Sequence, residues 1–152
     1  MTFHYLRNRS LKFGVGINDA DYPVNPVVNG KRKICPFYNV WSNMIRRCYM
    51  DDKNRRPVET PYIGCSVVDE WHKFSNFKRW MEKQDWKNNQ LDKDLKVPGN
   101  KVYGPDTCIF IPKSINTLIS EGRHSEFNLK KVLPLIMVKY VLVLENMENY
   151  IK

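Results

Sequence analysis

The run Leu91-Asp92-Lys93-Asp94 places two carboxylates two residues apart. On a strand, alternate side chains share a face, so a strand here turns Asp92 and Asp94 the same way. Carboxylates on one face can hold a divalent cation through their oxygens. Asn116, on a segment that reads as a helix, offers a further oxygen ligand. A hard metal gripped between such a hairpin and helix can stabilise the leaving oxygen in phosphodiester cleavage. A solvated edge strand carries the same Leu-Asp-Lys-Asp pattern, so spacing alone leaves both readings open. The histidines are His4, His72 and His124. His72 follows Trp71 on a helix and nothing places it at the metal. His124 comes soon after the Asn116 segment, and a surface position is the default for both.

A second kind of chemistry is carried by charge. Lys and Arg number 25 against 16 Asp and Glu, for a net +9. Such an excess favours a polyanionic partner, such as nucleic acid or an anionic membrane surface. Residues 132–152 hold two lysines and two acids, so all of the +9 belongs to residues 1–131. The candidates for phosphate contact are Lys31, Arg32, Lys33, Arg46, Arg47, Arg55, Arg56 and Lys113. Arg46 and Arg47 sit in the last turn of an expected helix, where cations favour the dipole, and a solvated face explains them equally well.

The elements that must position these groups read as an α+β chain. Residues 1–34 are basic and broken by Gly14, Gly16, Pro23, Pro26 and Asn29-Gly30, which predicts a loop-rich arm with one short hairpin. Phe37, Val40, Trp41, Met44, Ile45 and Cys48 recur at helical spacing and predict a helix from about Pro36 to Met50. Pro36 suits its first turn, where a missing N–H costs nothing. Cys65 to Val68 reads as a short strand or buried turn. Trp71, Phe74, Phe77, Trp80 and Met81 predict a second helix over Glu70–Gln84. Trp41, Trp71, Phe74, Phe77 and Trp80 should then meet in a core, although aromatics can also stack on bases. Leu91–Val97 and Tyr103–Ile111 read as two strands around Pro98-Gly99-Asn100, followed by a helix over Pro112–Ser120. Lys130–Leu144 reads as an apolar strand, and Glu145–Lys152 as a frayed helix. The organisation is thus a basic arm over 1–34 and a single domain over 35–152.

Several classes are disfavoured. The longest apolar stretch, Val132 to Leu144, is interrupted by Pro134 and Lys139 and falls short of the roughly 18 to 20 residues that span a bilayer. No membrane partner is expected. Cys35, Cys48, Cys65 and Cys108 form no Cys-x-x-Cys pair, so a zinc ribbon has no support. Buried reduced thiols and a cytoplasmic compartment are expected.

The residues also carry a resemblance. Trp41-Ser42-Asn43-Met44, Arg47-Cys48, Tyr62, Gly64, Val67, Glu70-Trp71, Phe74, Phe77 and Trp80 agree in order and spacing with a group of phage proteins related to HNH homing endonucleases. The agreement continues through Leu91-Asp92-Lys93-Asp94, Gly99-Asn100, Tyr103-Gly104-Pro105-Asp106, Cys108 and Lys113 to Asn116. It covers about residues 36–120. The resemblance implies a helical N-terminal half packed on a ββα-metal core over about 89–121, with DNA first and RNA second as partner, while the β-rich apolar tail, read from its Val, Leu and Ile, departs from the resembled group. It implies one Mg²⁺ or Mn²⁺ held by Asp92 and Asn116 with support from Asp94, and an infected host cell as the setting. Lys93 stands where the resembled enzymes place a histidine base, and Thr107 where many place the asparagine that orients it. Flanking carboxylates favour a charged lysine, and a charged lysine is no base. Lys93 is therefore expected to contact phosphate.

Two functions remain. One is a nucleic-acid-binding protein of the HNH endonuclease class with metal-dependent phosphodiester hydrolysis, Asp92, Lys93 and Asn116 being catalytic. The other is a degenerate HNH scaffold that binds nucleic acid or inhibits a host protein complex. The lost histidine and asparagine favour the second, and retained Asp92 and Asn116 favour the first.

Overall fold

The computed structural model describes residues 10–97 and 99–122. The strand expected over Lys130–Leu144, the helix expected over Glu145–Lys152, His4 and His124 lie outside them. In chain order the elements are β1 (Val27–Val28), β2 (Lys31–Arg32), α1 (Pro36–Tyr49), β3 (Ser66–Val67), α2 (Phe74–Met81), β4 (Asn89–Asp92), β5 (Val102–Tyr103), β6 (Ile109–Pro112) and α3 (Lys113–Gly122). Short 3-10 segments cover Asp52–Asn54, Pro57–Tyr62 and Asp69–His72. Helices and short strands are mixed, as an α+β chain requires. The chain divides into two units. Of the described residues, one unit holds 10–87 and those of 91–110, and the other holds 88–90 and 111–122.

In the first unit, α1 follows its sequence pattern. Pro36 opens it, and Trp41, Met44, Ile45 and Cys48 are its buried stripe. The stripe meets α2 and the turn before it. Trp41, Trp71, Phe74 and Phe77 are buried and Trp80 is partly so. Trp71 packs on Phe77 and Trp80 with ring centroids at 5.0 and 4.6 Å. The Trp41 indole N–H donates to the Trp71 carbonyl at 2.8 Å, so this buried polar tip is satisfied. Gly16 lies against the same ring. A Cβ there would come within 3.1 Å of Trp41, which fixes the closeness of the N-terminal segment.

The helix expected over Glu70–Gln84 is interrupted. Asp69–His72 forms a 3-10 turn, Lys73 is extended, and α2 starts at Phe74. The competitor is residues 17–19. Lys73 forms a parallel bridge with Ile17. The Ile17 N–H donates to the His72 carbonyl at 2.8 Å, and the Phe74 N–H donates to the Ile17 carbonyl at 3.0 Å. Asp19 then accepts from the Ser75 N–H at 2.9 Å and from the Ser75 hydroxyl at 2.5 Å. A carboxylate on the first-turn N–H groups is what a helix N-terminus needs. Here it comes from 56 positions away.

The β1–β2 hairpin forms at the expected turn. Val27 pairs with Arg32 and Val28 with Lys31 in antiparallel register. Asn29 and Gly30 have φ of 51° and 71°, the left-handed pair that a type I′ turn demands. β3 pairs in parallel with β5, Ser66 opposite Val102. β4 pairs with β6. The unit boundary passes through both of these last strands.

Two strand expectations need correction. The first strand ends at Asp92 instead of reaching Val97. The second, expected as Tyr103–Ile111, splits into β5 and β6, which pair with different strands. The Gly104 carbonyl accepts from the N–H groups of Thr107 at 3.3 Å and Cys108 at 2.9 Å, turning the chain between them. A Cβ on Gly104 would stand 2.9 Å from a Val68 methyl. In the second unit, α3 begins directly after β6, within a residue of its expected start.

Candidate functional site

Asp92 is buried and spends one oxygen on the backbone. Its Oδ1 accepts from the N–H groups of Asp94 at 2.9 Å and Leu95 at 2.7 Å. Such a side-chain turn competes with the strand ladder and stops β4. Asp94 therefore lies past the strand end, and strand alternation does not set its direction. The expectation that both carboxylates share one strand face is corrected by this turn.

Lys93 is also buried. Its ammonium donates to Asp94 Oδ1 at 2.5 Å and to the Asn100 carbonyl at 2.9 Å. It also stands 5.9 Å from the centre of the Tyr103 ring. Asn100 closes the loop from the other side. Its amide donates to the carbonyls of Lys93 at 3.0 Å and Val102 at 2.6 Å, and its side-chain oxygen accepts from the Val102 N–H at 3.1 Å. Lys93 thus ties a loop together with its charge, where sequence reading expected it to meet phosphate. Asn100 is a residue whose role that reading missed. Its place beside Gly99 at the turn was the only available signal.

Thr107 has a turn-closing role. Its hydroxyl reaches the carbonyls of Val102 at 2.7 Å and Gly104 at 3.3 Å. His72 faces Tyr49, with Nε2 3.1 Å from the phenol oxygen. In the second unit, the Asn116 amide donates to Gln90 Oε1 at 2.9 Å. That bond uses the amide nitrogen, whereas a metal would take the amide oxygen. The oxygen donors of Asp92 and Asn116 suit a hard cation chemically. Asp94 does not fit one as arranged, because an ammonium already neutralises it and would repel a second cation. Among the described residues, no three His, Cys, Asp or Glu side chains gather as a metal cluster.

The basic candidates separate into two groups. Arg55 is 7% exposed in its side chain. It donates to the carbonyls of Arg47 at 2.5 Å and Cys48 at 3.3 Å and to Asp52 at 2.5 Å. It thereby caps the C-terminus of α1, where carbonyls lack helical partners, and its expected phosphate role is corrected. Arg46 and Arg56 flank the buried Glu59 at 2.5 and 3.0 Å. Bonds from Arg56, then Arg46, lower the Glu59 carboxyl from its ordinary 4.5 to about 2. The Arg47 guanidinium lies 4.9 Å from the Tyr62 ring centre, a cation–π distance. Arg56 is exposed although paired, and Lys31, Arg32, Lys33 and Lys113 are exposed too.

The thiols are as expected for a reduced interior. Cys48, Cys65 and Cys108 are buried and Cys35 is partly exposed, all four free. Burial pushes the Cys48 thiol up to about 12 and Cys108 to about 11. No helix among the described residues is long and apolar enough to cross a membrane. Compared with protein-family models, curated proteins and solved structures, the chain has no match.

Proposed function

We propose that this chain is a nucleic-acid-binding protein on an HNH-like frame, in which the loop at Asp92–Asp94 serves the fold and DNA is held by exposed cations. The observation that carries the reading is the position of Lys93. Its ammonium is enclosed by Asp94 and the Asn100 carbonyl, and a lysine so engaged is not presented to a phosphate. The net +9, with Lys31, Arg32, Lys33 and Lys113 exposed, supports a polyanion as partner. The pairing of β4 with β6 and the start of α3 directly after β6 support an HNH-like frame, although β5 intervenes in the chain.

A second reading keeps hydrolysis. It is favoured by Asp92, whose two backbone bonds both fall on Oδ1. Asp92 would then offer Oδ2 to Mg²⁺ or Mn²⁺. One experiment separates the two. The purified chain is incubated with supercoiled plasmid, single-stranded DNA and RNA, with and without Mn²⁺, while binding to each is followed by fluorescence anisotropy. Binding without cleavage is the expected result. Mn²⁺-dependent nicking that Asp92→Ala abolishes, with the fold intact, would establish the nuclease instead. Absence of binding at low salt would remove both and leave the inhibition of a host protein complex.

A further inference from the structure

The hairpin around β1 and β2 is longer than its two named strands. The Lys33 N–H donates to the Pro26 carbonyl and the Cys35 N–H to the Val24 carbonyl, both at 2.8 Å. The ladder therefore runs from Val24–Cys35 at the base to Val28–Lys31 beside the turn. Its base is fixed, because Val24, Tyr22 and Cys35 pack on the core. Beyond the base it is uncovered. Every residue from Val27 to Ile34 is exposed, with Val27 at 65% and Ile34 at 52%.

This is an unusual use of β-branched residues. An isolated two-stranded hairpin is marginal in water, and strands normally bury one face. Cross-strand partners share a face, so Val28 and Lys31 point one way and Val27 and Arg32 the other. Each face thus carries one aliphatic and one cation. Lys33 lies on the Lys31 side and Ile34 on the Arg32 side, since alternate residues share a face. From Val24 to Cys35 there are three cations and no carboxylate. A ribbon exposed on both faces, cationic on both faces and, among the described residues, anchored at its base has the form of an insert.

We infer that this ribbon enters the major groove of duplex DNA. The B-form groove, about 12 Å wide, admits a two-stranded ribbon. With strands about 4.8 Å apart, cations on both faces meet the phosphates that border the groove. Val27 and Val28, beside the turn, meet the apolar edges inside it, where thymine methyl groups lie. The A-form RNA groove is deep and too narrow for side chains to read, so the ribbon commits the partner to duplex DNA. This inference rests on the nucleic-acid reading above and specifies its partner and its docking element.

The test uses the full chain and three fluorescent probes of one sequence: duplex DNA, duplex RNA and single-stranded DNA. The variant Lys31→Ser/Arg32→Ser/Lys33→Ser is compared with the parent across salt, after thermal melting has shown an unchanged fold. If the triple variant melts early, the single variants Lys31→Ser and Arg32→Ser replace it. The expected result is duplex DNA bound most tightly and a loss of more than about tenfold in the triple variant. The slope of log affinity against log salt should also shrink by about 2 to 3. Equal affinity of the parent for duplex RNA and duplex DNA would overturn groove entry. Unchanged DNA affinity in the triple variant would overturn the ribbon's role and leave the nucleic-acid reading standing. A parent that binds none of the probes would overturn both.

Discussion

Replacing Lys93 with methionine removes the ammonium and keeps most of the stem that fills its site. The Lys93 and Asp94 side chains are 6% and 16% exposed, so Lys93→Met leaves a largely buried carboxylate without its cation. Breaking a buried pair from one side costs roughly 3–5 kcal/mol. Partial access of water to Asp94 puts the expected loss at the lower end, about 3 kcal/mol. Adding Asp94→Asn removes the carboxylate charge that faced the ammonium, so the double variant should be more stable than Lys93→Met alone, with a coupling of about 1–3 kcal/mol. Urea denaturation of the parent, both single variants and the double variant measures this, provided the slope stays constant. Affinity for duplex DNA, measured on the folded fraction, should be the same in all four. A loss under about 1 kcal/mol for Lys93→Met, together with weakened DNA binding, would refute the structural role and return Lys93 to the phosphate.

The helix cap gives a second expectation: Asp19→Ala should destabilise by about 1–2 kcal/mol, and Asp19→Asn should recover part of it, measured by denaturation. For pH, the Glu59 carboxyl is held at about 2 against an ordinary 4.5. A depressed carboxylate stabilises above its unfolded value, so this contribution is complete above about 4.5 and is lost as pH falls toward about 2. Thermal melts across that window should show a shallower fall for Glu59→Gln than for the parent. The thiols can be counted with a disulfide reagent at pH 8. Cys35 should react in the native protein, and Cys48, Cys65 and Cys108 only in denaturant, since burial holds Cys48 and Cys108 near 12 and 11; fast native reaction of more than one thiol would contradict their burial.

What could be read from the sequence was whatever local pattern decides. The α1 stripe, Pro36 at its start and the Asn29-Gly30 turn each act over a few residues, and each appears where expected. The aromatic core followed from the same spacing. The break before α2 was not legible, because it is made by Ile17 and Asp19, far away in sequence, and helical periodicity runs straight through Lys73. The early end of β4 was hidden for a different reason. An aspartate suits a strand face and a turn alike, and Asp92 bonds its own following backbone. Charge gave the least. Arg55 and Lys31 look alike in a sequence, yet one closes a helix and the other stands in solvent. Only the location of the α1 carbonyls distinguishes them.

The contact between Asp19 and Ser75 also has a meaning in time. A chain made at about 5–20 residues per second releases Ser75 roughly 3 to 11 s after Asp19. The clamp that sets the start of α2 is thus synthesised early and completed late. During that interval Gly16 can already meet Trp41, only 25 positions on, so the N-terminal segment can settle against α1 first. The second helix would then form against a surface already in place, its first turn positioned by residues made before either helix.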